Sequence, residues 1–143
     1  MMAYIPSESM LPSMEIGDIF FATRYDANKD VQRYDVMIFP SPNEPNKLYV
    51  KRVIGLPGET ITVEDGHVYA DGEELRSDFL FEEMDSNGDG VYKVPENGYF
   101  MMGDNRNHSF DSRFWDDPYI TKFTAKVRFQ VFPLNKIGKN VNN

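Results

Sequence analysis

The sequence contains no cysteine. That absence removes disulfides, thiolate metal ligands and cysteine nucleophiles together, and leaves the compartment open. Basic residues are in the minority, 15 lysines and arginines against 23 aspartates and glutamates, for a formal charge of −8. No basic block is present, so the phosphate-binding footprint of a nucleic-acid partner is missing. Also missing is any apolar run of the roughly 18 to 20 residues that crosses a bilayer. The opening MMAYIPSESM lacks the basic-then-apolar layout of a secretory signal. No segment holds a 3.6-residue apolar stripe beyond two turns, and no repeat, linker or low-complexity tract interrupts the chain.

What is present reads as β structure. The 143 residues, 41% of them hydrophobic, suffice for one domain, 1–143, with a real core. Ile19–Tyr25, Val36–Phe39, Leu48–Ile54, Thr60–Val63, His67–Ala70, Gly98–Met102 and Val127–Phe132 are short and rich in β-branched or aromatic residues. Pro57-Gly58, Asp65-Gly66, Asp71-Gly72 and Asn97-Gly98 separate them, and the two Asp-Gly pairs around HVYA predict consecutive tight hairpins. The expected fold is all-β, a compact barrel or sandwich of short antiparallel strands. Residues 137–143 carry few apolar groups and are expected to fray.

Three stretches depart from this plain pattern. In Ile5-Pro-Ser-Glu-Ser-Met-Leu-Pro12, two prolines bracket Ser7 and Ser9 and fix the backbone around them. In an extended stretch these serines share one side, so one could attack while the other donates to a developing oxyanion. Alone, they read first as turn serines. Next, Lys51 and Arg52 interrupt the apolar run Leu48–Leu56, and strand alternation turns one of them toward whatever that run covers. Lys51 is in phase with Tyr49 and Val53; burial there would lower its pKa and let a neutral amine accept a serine proton. Alone, it reads first as an edge lysine snorkelling to water. Finally, Gly103–Arg113 crowds Asp104, Arg106, Asp111 and Arg113 just after an apolar strand, a density that suits a network orienting something else.

Taken in order, these stretches resemble the type I signal peptidases. Pro6–Pro12 is similar to the serine box, Tyr34–Phe39 to the strand that follows it, Tyr49–Glu59 to the lysine box and Gly103–Arg113 to the last box, so the resemblance spans roughly Ile5 to Leu134. It implies a serine endopeptidase that removes signal peptides from exported preproteins by a Ser-Lys dyad, with no cofactor or metal. Ser9 would be the nucleophile, its amide and the Ser7 hydroxyl the oxyanion donors, and Lys51 the general base. Ser109 would bond and orient the lysine amine. Arg52 with Asp104, and Asp111 with Arg113, would form supporting ion pairs.

The substrate would bind as an added strand. Ile5, Met10, Met14, Tyr49 and Val50 would then line shallow pockets for small side chains at the first and third positions before the cut. By the same resemblance an upstream membrane helix is expected, with the catalytic domain, a monomer, on the outer face of the cytoplasmic membrane. The short interval between Lys51 and Gly103 implies no large inserted second domain. One departure lies in the exit loop, where Phe114-Trp115 runs into Asp116-Asp117 and the family often has glycine.

Other readings compete. Asp85–Glu96 matches the EF-hand calcium loop at every patterned position, but Val94-Pro95 opposes the flanking helix, so an Asp/Asn/Gly-rich turn between strands is expected, with weak calcium binding left open. His108, near Asp111, offers a histidine base; His67 falls in a hairpin and is expected to be exposed. A self-cleaving Ser-Lys repressor would need a DNA-binding segment, and the acidic charge opposes it. A calcium-binding β module without catalysis is the alternative from another class.

Overall fold

The computed structural model describes residues 1–25 and 31–142. Its strands are β1 Met2–Tyr4, β2 Ile19–Arg24, β3 Val36–Pro40, β4 Leu48–Gly55, β5 Thr60–Glu64, β6 His67–Ala70, β7 Glu73–Glu74, β8 Gly90–Lys93, β9 Tyr99–Met102, β10 Tyr119–Ile120 and β11 Ala125–Phe132. Short 3-10 turns at Arg106–His108 and Leu134–Lys136 are the only helical elements among the described residues. Every pairing is antiparallel. The larger sheet runs β1-β2-β11-β3-β4-β9-β10 and the smaller one β7-β6-β5-β8. The fold is all-β, as the period-two patterning required.

The interval between the lysine strand and the last box folds mostly into the smaller sheet. Its hairpins turn where Asp-Gly pairs predicted them: Asp65 and Gly66 both adopt positive φ, 51° and 83°, as a two-residue turn matched to strand twist demands. The strands that sequence patterning missed are β1, β7, β8 and β10, each of two to four residues. Of these, β8 lies inside the calcium-loop pattern. Residues 90–93 pair with β5 there, so strands stand where an EF-hand needs a loop and helices.

The larger sheet is covered on both faces, which explains the unbroken apolar runs of β3 and β9. One face packs Phe20, Val36, Ile38 and Val127 against Ile5, Met10 and Met14 of the serine loop. The other packs Met37, Phe39, Val53 and Met101 against Trp115 and Phe123. A third cluster, around Ile54, Ile61, Val63, Phe100 and Met102, joins the two sheets. Each fully buried Phe, Met or Ile in these clusters contributes roughly 1.5–3 kcal/mol.

The C-terminal tail does not fray, contrary to expectation. Val141 is buried in the core. Asn142 Oδ1 accepts from the Val36 N–H at 2.8 Å, and its Nδ2 donates to the Val127 carbonyl at 2.8 Å. The tail holds by supplying polar partners to backbone groups of β3 and β11, not by apolar area. Asn143 lies outside the described residues.

Candidate active site

The serine segment is a loop with apolar feet. Its ends are tied together, Ile5 N–H to Asp18 O at 2.9 Å and Gly17 N–H to Ile5 O at 2.9 Å. Between them Met10 and Met14 are buried, which leaves Ser7 exposed and Ser9 half-buried at the top of the loop. The segment is turned, not extended, yet the two hydroxyls meet: Ser7 Oγ donates to Ser9 Oγ at 3.4 Å. The backbone N–H of Ser9 donates no hydrogen bond among the described residues.

Strand β4 supplies the lysine. With both faces of the sheet covered, alternation buries Lys51 and Arg52 alike, at 5% and 3% exposure, where the sequence predicted burial of only one. Arg52 is fully satisfied in its own direction. Its guanidinium forks onto Asp104, at 2.8 and 2.7 Å, and donates to the Tyr34 and Val141 carbonyls at 2.8 and 2.6 Å. The Lys51 amine lies 5.5 Å from the centre of the Tyr49 ring. Loss of hydration pushes it down to about 8, with Asp111 pulling it back up and the Arg113 charge pressing it lower.

The Gly103–Arg113 stretch packs between serine and lysine segments. Any Cβ on Gly103 would sit 2.5 Å from the Ser9 carbonyl oxygen and collide with the Ser109 hydroxyl, so only glycine fits this approach. Asn105 N–H donates to Ser9 O at 2.9 Å and Asn105 Nδ2 to Glu8 O at 3.1 Å. Asp111 is the hub: it accepts from Gly103 N–H at 3.0 Å, from Ser109 Oγ at 2.8 Å and from Arg113 Nε and Nη2 at 2.9 Å each. Burial pushes the Asp111 carboxyl up, but the hydrogen bonds and charge of Arg113 outweigh it and hold the carboxyl below its ordinary value. Ser109, expected to bond the lysine amine, donates its hydrogen bond to Asp111, a fully buried carboxylate two residues away.

These segments enclose one cleft of about 460 Å³, lined by Ser7, Ser9 and Lys51 with Ile5, Met10, Tyr49 and Val50. Met14, expected on a pocket wall, is 0% exposed and belongs to the core beneath the loop. Leu48 and Phe110, which sequence reasoning did not place here, also line the cleft, as does His108, the rival base. Tyr49 is backed by Trp115, at 6.2 Å between rings, so the chain leaving the last box is tied to the cleft despite Asp116-Asp117. Strand β9 pairs with β4 only from Arg52 onward, and the edge of Leu48–Val50 away from β3 is left open.

The histidines stand apart from this network. No hydrogen bond to the His108 ring occurs among the described residues, and Asp111 is fully engaged elsewhere. His67 is exposed and pairs with Glu74 at 2.5 Å in the outer hairpin. Gly103 and Asn105 went unassigned in the sequence because their contacts are to backbone, which no residue pattern announces.

Comparison with known proteins points one way. Residues 1–132 match the family described as signal peptidase, peptidase S26. A signal peptidase I from Pseudomonas fluorescens is 35% identical over 82% of this chain and 56% of its own length. One from Leptolyngbya laminosa is 36% identical over 95% of this chain and 70% of its own. The chain thus spans little more than half of the Pseudomonas relative. The crystal structure of a signal peptidase I from Enterococcus faecalis superposes with a TM-score of 0.54 at 34% identity, covering 65% of this chain and 91% of that one.

Proposed function

The chain belongs to the signal peptidase family, and on that premise we propose that it is a serine endopeptidase removing N-terminal signal peptides from exported preproteins, with Ser9 as nucleophile and neutral Lys51 as base. The observation that carries the reading is a lysine 5% exposed, its amine depressed to about 8, in the same cleft as a half-buried serine whose own amide N–H is unengaged among the described residues.

The Ser9 hydroxyl passes its proton to Lys51 Nζ as Oγ bonds to the scissile carbonyl carbon. The carbonyl oxygen takes the negative charge and is held by the Ser9 N–H and the Ser7 hydroxyl. The Lys51 ammonium gives that proton to the leaving nitrogen as the C–N bond breaks. Water then attacks the acyl carbon, its proton going to Lys51, and the acid leaves as Ser9 regains its hydrogen. The Asp111 charge acts on the amine, and Arg113 keeps Asp111 ionised.

The open edge of Leu48–Val50 supports recognition of an extended peptide by backbone pairing. Ile5, Met10, Tyr49 and Val50 leave shallow apolar recesses, suited to small side chains at the first and third positions before the cut. No helix among the described residues is long and apolar enough to cross a membrane; placement at the outer face of the cytoplasmic membrane, through a helix upstream, is part of the proposal and rests on the family. Ser9→Ala and Lys51→Ala are each expected to abolish cleavage of a signal-peptide substrate, a loss of about 10³-fold or more. Substantial turnover by either variant would contradict the dyad.

A further inference from the structure

Asn105 is 1% exposed, and the carbonyls it binds, those of Glu8 and Ser9, belong to the two peptide groups flanking the Ser9 Cα. A carbonyl only accepts, so it is the amide nitrogen of Asn105 that faces Glu8. The Glu8 C=O and the Ser9 N–H are opposite ends of one planar unit and point in opposite directions. Holding the carbonyl end fixes the aim of the N–H end. That N–H has no partner among the described residues. A hydrogen bond accepted at the carbonyl also polarises the peptide and makes its N–H a stronger donor. The Leu11 N–H adds a second bond to the same carbonyl, at 3.1 Å.

Asn105 Oδ1 is buried with no hydrogen-bond partner among the described residues. The side chain is therefore held at its nitrogen, by the Glu8 carbonyl, and not through any partner at Oδ1. We propose that Asn105 is a positioning residue of the oxyanion site, pinning the Glu8–Ser9 peptide plane so that the Ser9 N–H points at the developing charge; this rests on Ser9 being the nucleophile.

The test compares the parent with Asn105→Ala, and with Asn105→Leu, which keeps the volume should the alanine variant fail to fold. With a signal-peptide substrate, kcat is expected to fall about 10- to 100-fold, part of the effect of losing an oxyanion donor outright. KM should stay within about twofold, and the midpoint of the pH profile should not move, because the lysine is untouched. In a ¹⁵N spectrum the Ser9 amide resonance should shift. Parent-like kcat, a loss confined to KM, or an unmoved Ser9 amide would overturn the assignment. A parent that cleaves no signal peptide contradicts the peptidase reading instead, and the Ser9 amide shift then decides the clamp by itself.

Discussion

Lys51 is held where an amine least prefers to be, and the consequence is measurable as stability. Its pKa falls from 10.5 in the unfolded chain to about 8 in the fold, a difference on the order of 3 kcal/mol. Below pH 8 both states carry the proton, and the fold bears the whole desolvation penalty; above 10.5 both are neutral and the penalty vanishes. Lys51→Met is therefore expected to stabilise the protein at pH 7 by about 1–3 kcal/mol while removing activity. Denaturant titrations should show that advantage shrinking as pH rises from 8 to 10.5. A methionine variant less stable than the parent at pH 7 would contradict this. Neither Ser9 nor Lys51 is distinctive alone in the sequence. Their proposed pairing comes from the resemblance of four stretches, taken in order, to the signal peptidases, whereas Asn105 and Gly103 act through backbone contacts that composition cannot display.

At the scale of elements, β4 does two jobs along its length. Residues from Arg52 onward are locked between β3 and β9, and Leu48–Val50 keep one edge open beside Ser9. The transition falls at Lys51. The C-terminal tail supports this strand from the side, since the Val141 carbonyl accepts from Arg52 and Asn142 pairs with β3 and β11. Asn142→Ala leaves a buried N–H and a carbonyl short of partners and is expected to cost about 1–3 kcal/mol. Thermal denaturation should register a drop of several degrees; an unchanged midpoint would mean that the tail contributes nothing. Longer strands such as β4, β5 and β11 were readable from alternation, to within two residues at their ends. Neither the anchoring of the tail nor the pairing of β1 and β10 was readable, because tertiary hydrogen bonds decide them.

At the scale of the whole molecule, the site is assembled from three stretches far apart in sequence, 5–18, 48–55 and 103–113. The larger sheet places the lysine strand, its two covered faces bury Lys51 and Arg52 together, and the last stretch joins serine loop to sheet through Asn105, Gly103 and the ion pairs of Asp104 and Asp111. Order along the chain made the family legible; the double burial of β4 and the Asp111-centred network needed three dimensions. The most direct measurement of the dyad is the pH dependence of kcat/KM on a signal-peptide substrate, which reports the free enzyme. If the base is the neutral Lys51 amine, as proposed, activity should rise with pH to a plateau, with a midpoint near the value of about 8 set by burial of Lys51. A midpoint near 6.5, where an unperturbed histidine titrates, would contradict the lysine base, as would activity that is flat from neutral to alkaline pH.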